Sequence, residues 1–390
     1  PGRDGYIFGG YYTGIGGAGD QYYDNNGNSS AQWNSRTITT LYAKWTAREY
    51  TVKLEDMEPT TAGQGSVSVT FDASDNMTSA VTQPTKTHYD FGGYWTDNND
   101  SGATLGVQLI DENGNWIKDV SPYTGSDADG NPTWIYPNDI SLFAKWTEHP
   151  YTIDLVVSPE GAGTIDKGTT IAAYYVTASA DITATASTGY SFREWDFSKT
   201  DEDNDVYSAE GYTSLSNPIR IMAQHDGTLT AKFTANNYNV NLENLDADEK
   251  GTENVSVTYN SSANLTENIT IPQKEHYDFG GYYTSSDEGV TLDVRLIDEN
   301  GAWIASVDGY IDSDKNWLYA DNLTLYAKWT EHPYTIDLIV SPEGAGTIKI
   351  GEEIVGSVNA FISTPTDLIT ATPANPAWKF KGWQYSENVG

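Results

Sequence analysis

Cysteine is absent from all 390 residues, so this chain has no disulfide framework, thiolate metal site or cysteine nucleophile. Methionine occurs three times, and no apolar run approaches the ~18 residues that a membrane helix needs. The chain opens on Pro1 with no basic-then-apolar signal, so an export signal or anchor is expected outside this segment. Basic residues are scarce: 21 Lys and Arg face 55 Asp and Glu, a formal charge of −34. Nucleic acid is thereby excluded as a partner, because phosphate binding needs clustered cations. The acid fits solubility, self-repulsion between neighbouring modules, or cation binding. Leu-rich helical runs are also missing. In their place stand 12 Trp, 27 Tyr, 10 Phe and 36 Gly among abundant Thr and Val, the composition of short strands joined by turns.

Internal repetition organises the rest. LFAKWTEHPYTIDLVVSPEGAGTI, from Leu142 to Ile165, returns as LYAKWTEHPYTIDLIVSPEGAGTI from Leu325 to Ile348. HYDFGGYWT (His88 to Thr96) returns as HYDFGGYYT (His276 to Thr284), with a looser copy, GYIFGGYYT, at Gly5 to Thr13. An Ala-Lys-aromatic-Thr block ends at Thr46, Thr147, Thr234 and Thr330, and each is followed four residues later by Tyr50, Tyr151, Tyr238 or Tyr334. The spacing divides the chain into the C-terminal part of an A-type repeat (1–47), an A-type repeat (48–148), a divergent B-type repeat (149–235), a second A-type repeat (236–331) and the N-terminal part of a B-type repeat (332–390). Three-residue linkers restrict the angle between neighbours, which favours an extended, semi-rigid rod.

Within 48–148, TVKLED and SVSVTF alternate as a hairpin, and the polar stretch Asp72 to Thr87 reads as a crossover. Asn113-Gly114 between alternating runs predicts a second hairpin. The closing strand ISLFAKWT sets Leu142, Ala144 and Trp146 on one face and Lys145 towards water. Trp33, Trp134 and Trp317 each lie twelve residues before Trp45, Trp146 and Trp329, a fixed spacing that points to packed aromatics. The predicted core set is Trp33, Trp45, Phe91, Gly93, Trp134, Trp146, Trp195, Phe279, Gly281, Trp317, Trp329 and Trp383.

G-Y-x-F-x-G-[YW]-[YW]-T followed at a distance by L-[YF]-A-K-W resembles the Listeria/Bacteroides repeat, the internalin B-repeat family. The SPEGAGT…GYSFREW segments resemble its divergent relatives. This resemblance implies a mainly β chain, a tandem array of small β-grasp-like modules in a large bacterial cell-surface or secreted protein. The expected role is structural: an adhesin, stalk or fibre. The competing role is a set of modules that bind glycans or host surface proteins, with Tyr123 and Trp134 as stacking residues, or that accompany an extracellular enzyme outside the segment. Expected partners are flanking modules or other copies of the same protein.

Candidate chemistry is sparse. Gly92-Gly93 lacks the third glycine and helix start of a dinucleotide loop, and SPEGAGT lacks the Lys-Ser/Thr ending of a phosphate loop. The first reads as a bulge or close backbone approach, the second as a strand-to-strand turn. No G-x-S-x-G elbow or H-x-x-x-H spacing exists, and no enzyme is expected. His88, His149, His276 and His332 are repeat-equivalent and suit packing or capping where modules meet. Asp127, Asp129 and Asn131 recur as Asp312, Asp314 and Asn316; alternating oxygens of this kind either gather a partly hydrated Ca²⁺ or form a solvated Asx-rich turn. The run Asp201 to Asp205 reads as a solvated loop.

Overall fold

The computed structural model describes residues 1–98, 106–200, 203–286 and 293–386. Among them the secondary structure is β-strand apart from one three-residue 3-10 turn, Ile15–Gly17. The contacts divide the chain into two compact units.

The first unit comprises 1–156, 167–183 and 196–229. Its strands begin with β1 (Tyr6–Tyr12), β2 (Gln21–Tyr23) and β3 (Tyr42–Ala47), which form a sheet in the order β2-β1-β3. β4 (Glu49–Glu55), β5 (Ser66–Thr70), β6 (Tyr89–Trp95), β7 (Gln108–Ile110), β8 (Thr124–Ser126), β9 (Pro132–Trp134) and β10 (Ile140–Glu148) follow. Five of them make one sheet in the order β5-β4-β10-β6-β7, and β8 pairs with β9. The predicted hairpin is β4–β5, with Val52 opposite Val67 and Tyr50 opposite Val69. Alternation fits: Val52, Leu54, Val67 and Val69 are buried, while Thr51, Lys53, Ser66 and Ser68 face water. β10 runs parallel to β4, with Leu142 opposite Leu54, and antiparallel to β6. Their shared face buries Tyr94, Leu109, Ile110, Trp116, Trp134 and Met77. Further along, Tyr151–Ser158 pairs with Thr170–Ala173, and Val206–Ser208 with Ile221–Ala223.

The second unit comprises 157–166, 184–195 and 230–390. Asn254–Thr258, Asn237–Glu243, Leu323–Glu331, Tyr277–Tyr283 and Arg295–Ile297 repeat the five-stranded order, again with a parallel central pair. Its core holds Val240, Leu242, Leu265, Tyr282, Trp303 and Trp317. Gly163–Ile165 pairs with Ala184–Ala186, so SPEGAGT is a turn leading between strands. Gly346–Ile350 lies between Glu353–Ile354 and Ile369–Pro373.

The glycine pair sits at a bulge. Along β6 and β10 the register shifts between Ala144, opposite Tyr94, and Trp146, opposite Phe91, so two β6 residues oppose one on β10. Gly93 takes φ +84°, and a Cβ there would lie 2.3 Å from the Ile110 carbonyl oxygen; Gly281 repeats this with φ +107° and 2.4 Å to Ile297.

Several expectations are revised. Asp111–Asn115 turns as foreseen, but beyond it only a single bridge, Ile110 to Trp116, replaces the expected second strand. Trp134, Trp195 and Trp317 are fully buried, and Phe91, Trp146, Phe279 and Trp329 pack on the cores, whereas Trp33 is 53% and Trp383 46% exposed. In 48–148 the face holding Trp134 is closed by β4–β5, whereas Trp33 lies outside any strand and packs on Tyr22. Trp45 is half-buried against Phe8. The lysine of the closing strand is not simply solvated: Lys145 is half-buried, and the side chain of its counterpart Lys328 is 18% exposed and sits 3.0 Å from Asp293. Of the acidic run, Asp201 and Glu202 lie outside the described residues, and Asp205 is 4% exposed rather than solvated.

Candidate functional site

The residues that recur with one geometry lie where segments meet. In the first unit Arg48 N–H donates to Gly5 C=O (2.9 Å) and His149 N–H to His88 C=O (2.9 Å). In the second unit Asn236 N–H donates to Gly189 C=O (2.8 Å) and His332 N–H to His276 C=O (2.8 Å). Each donor stands two residues before the module-initial tyrosine, and each acceptor stands one residue before a strand carrying the aromatic pattern. All four acceptors have positive φ: Gly5 +75°, His88 +67°, Gly189 +83° and His276 +66°. A left-handed residue turns its carbonyl sharply out of the strand direction, which aims it at the linker.

Two kinds of joint follow from what occupies that position. Where it is glycine, a ring from the next repeat lies over it: a Cβ at Gly5 would be 2.4 Å from the Phe71 ring, and one at Gly189 2.4 Å from Tyr259. Tyr6 meets Phe71 edge-on at 5.4 Å and 76°, and Tyr190 meets Tyr259 at 5.4 Å and 78°. The linker residue is bonded on its other side too, its carbonyl accepting from Phe71 N–H or Tyr259 N–H, each at 2.9 Å. A side-chain hydrogen bond closes each set: Tyr6 Oη donates to Asp72 (2.8 Å), and Asn260 Nδ2 to Tyr190 Oη (3.1 Å).

Where it is histidine, the ring itself reaches across. His88 Nδ1 lies 2.9 Å from Tyr151 Oη, and His276 Nδ1 3.0 Å from Tyr334 Oη. His149 Nδ1 meets Asp90 at 2.8 Å, and His332 Nδ1 meets Asp278 at 2.9 Å. His88 also stacks on Tyr175, centroids 4.0 Å apart. Burial against these rings, with the charge of His225, lowers the His88 pKa below the ordinary value. The Glu148 carboxylate accepts from Val176 N–H at 2.7 Å and from Thr177; Glu331 accepts from Ser363 N–H at 2.8 Å and from Thr364. The sequence expectation of packing or capping histidines describes these positions.

A further set escaped the sequence reading. Thr51 N–H donates to Asp139 (2.7 Å), Thr152 N–H to Asp226 (2.7 Å) and Asn239 N–H to Asn322 (2.8 Å). Each acceptor immediately precedes its closing strand and latches the repeat's first strand beside it. Their constant place before Ile140, Gly227 and Leu323 was the available signal.

The candidate calcium residues belong to a turn used five times among the described residues. Asp127 Oδ1 accepts from Asp129 N–H (2.9 Å) and Asn131 N–H (2.8 Å), and Oδ2 accepts from Asn131 Nδ2 (3.1 Å); Asp312 does the same with Asp314 and Asn316. Asp24, Asp111 and Asp298 close the same turn through their own i+2 and i+4 N–H groups. The N–H of Asn131, followed by its side chain, holds Asp127 below the usual carboxylate range, and Asn316 does so for Asp312. Among the described residues no group of three or more His, Asp or Glu is placed to hold a metal.

Of the proposed stacking residues, Trp134 is fully buried and edge-on to Trp116, and Tyr123 packs against Tyr136 on the core. No helix among the described residues is long and apolar enough to cross a membrane, which says nothing of a β-barrel.

Residues 238–295 match the Listeria-Bacteroides repeat domain. This places the family resemblance on the second five-stranded repeat. Two proteins of Evansella cellulosilytica are similar over most of the chain: a "Putative Gly-rich membrane protein", 24% identical over 99% of this chain and 35% of that protein, and a "Putative membrane protein", 24% identical over 88% of this chain and 40% of that protein. The chain thus spans less than half the length of either relative.

Proposed function

We propose that this chain is a non-catalytic spacer, a stretch of tandem β modules within a large protein of the bacterial cell envelope, exposed at the surface or secreted. The observation that supports this most is the joint. One backbone hydrogen bond and one left-handed residue recur at four positions, each backed by side chains that a freely jointed linker does not need. Conserving a joint geometry while loops differ suits a chain that sets distance and direction between other parts. The strand order β5-β4-β10-β6 with a parallel central pair supports a β-grasp-like module, here with an irregular crossover in place of a helix. The names of the two relatives support an envelope location for the whole protein. An adhesin role belongs to parts that this spacer would carry.

The absence of native cysteine makes a direct test simple. Spin labels at Asn26→Cys and Thr78→Cys lie on exposed positions either side of the Gly5–Phe71 joint. A narrow distance distribution that broadens in Phe71→Ala supports the spacer. A distribution equally broad in both forms defeats it.

A further inference from the structure

Each five-stranded sheet ends on an edge strand of low complexity, Ser66-Val-Ser-Val-Thr70 in one repeat and Asn254-Val-Ser-Val-Thr258 in the other. Such strands lack several usual deterrents to pairing: within them there is no lysine, no proline and no internal register shift. The bonds from Leu54 N–H to Gly65 C=O and from Phe71 N–H to Arg48 C=O fix the odd-numbered residues of β5 as those bonded to β4. By the alternation of an antiparallel ladder, Ser66, Ser68 and Thr70 turn their backbone groups to the open side. Leu242 N–H to Glu253 C=O and Tyr259 N–H to Asn236 C=O set Asn254, Ser256 and Thr258 in the same way.

The central carbonyl of each open edge is already taken. Asn76 Nδ2 donates to Ser68 C=O at 2.9 Å, and Asn264 Nδ2 donates to Ser256 C=O at 2.9 Å. Both asparagines are exposed and left-handed, with φ +64° and +66°. The residue after each one is locked in the core, Met77 at 2% and Leu265 at 1% exposure, which anchors the amide over the edge. In the first repeat the flanking carbonyls are occupied as well, Thr70 by Ala73 N–H at 3.2 Å and Ser66 by Gln64 Nε2 at 3.4 Å. The groove between β5 and the segment 76–81 is lined by Gln64, Ser66, Ser68, Asn76, Thr78 and Ser79, all uncharged.

We propose that Asn76 and Asn264 are edge guards: each occupies the hydrogen-bonding position at which the same edge of a second copy would add, and so keeps a surface-crowded array from zippering side to side. The partner excluded is a second copy of this chain. Its edge is self-complementary, because Ser-Val-Ser-Val-Thr paired antiparallel with itself places Val beside Val on one face and hydroxyls on the other. The proposal does not depend on the spacer role, since it concerns association rather than joints.

The test is sedimentation of the full chain over a range of concentrations, comparing wild type with Asn76→Gly/Asn264→Gly. Glycine keeps the left-handed backbone and removes only the amide. The expected result is a wild type at the monomer mass of 42.7 kDa and a variant, with unchanged circular dichroism, shifting to the dimer mass and above as concentration rises. Adding Ser68→Lys/Ser256→Lys to the variant should return it to monomer. A glycine variant that is folded and stays monomeric overturns the proposal, as does association that the lysines do not reverse. Should the glycine variant lose its fold, Asn76→Ala/Asn264→Ala, which removes the donor without adding a charge, decides by the same readout.

Discussion

Replacing Gly93 by alanine tests whether the repeated glycine is there for conformation or for room, because the structure supplies a matched control. Gly93 and Gly161 have nearly the same dihedral, φ +84° and +78°. At Gly161 a Cβ meets nothing within 4 Å; at Gly93 it would lie 2.3 Å from Ile110 O and 2.4 Å from Gln108 Nε2. Gly161→Ala therefore costs only the left-handed strain, about 1–2 kcal/mol. Gly93→Ala adds displacement of β7 from a backbone contact, about 1–3 kcal/mol more on the scale of core overpacking. Unfolding of an array is not a single two-state event, so the free energy should be read locally, from hydrogen exchange of the β6 amides for Gly93 and of Tyr151–Ser158 for Gly161. Loss of protection at β6 worth roughly tenfold or more beyond that at the control is expected, since about 1.4 kcal/mol is a decade. Equal losses at the two sites would refute the close-approach account.

Trp134→Ala should destabilise its repeat by about 3–5 kcal/mol in the same assay, while Trp33→Ala, at a half-exposed site, should cost under about 1 kcal/mol. Tyr282→Phe should cost about 0.5–1.5 kcal/mol, because its Oη donates to Asn244 (2.8 Å) at a buried site whose burial also pushes the phenol pKa above its usual range. His149→Ala and His332→Ala should each cost little, about 0.5 kcal/mol, since both contacts with Asp90 and Asp278 are about half exposed. At the joints, burial raises Glu148, but hydrogen bonds from Thr177 and Val176 outweigh it and leave the pKa lowered; Ser363 and then Thr364 lower Glu331. A depressed folded pKa means stability that is present above the unfolded value, near pH 4, and lost as pH falls through the folded one. Amides of Val176 and Ser363 should thus lose protection only on acidification below about pH 4. Calcium at millimolar concentration should leave the melting temperature unchanged if the Asp127 and Asp312 turns are closed by their own amides. A rise abolished by chelator would favour the cation reading.

The sequence made β structure, the β4–β5 hairpin and the closing strand legible because alternation survives in Val52, Leu54, Val67 and Val69. It also singled out the residues just ahead of each module-initial tyrosine, since the interval from the Ala-Lys-aromatic-Thr block to that tyrosine never varies. What it could not show was that one bond unites all four joints, because the acceptor is glycine at two of them and histidine at the other two. Only the shared positive φ makes them equivalent. The turns at Asp111 and Asp127 suggested different things, a hairpin and a cation loop, for the same reason: DENGN and DADGN differ in side chains that point away, while the aspartate that closes both is common. Trp33 and Trp383 are exposed rather than buried as expected; neither lies in a strand, so spacing and aromatic pattern alone did not report their packing.

Small-angle scattering of the 390-residue chain tests the spacer most directly. A compact globule of this length has a radius of gyration of about 21 Å and an unfolded chain about 70 Å. On the proposed spacer reading, modules about 30 Å long set end to end would give about 35 Å. That value, maintained at high salt and lost when Phe71 and Tyr259 are replaced by alanine, is the predicted result. A radius near 21 Å would contradict it.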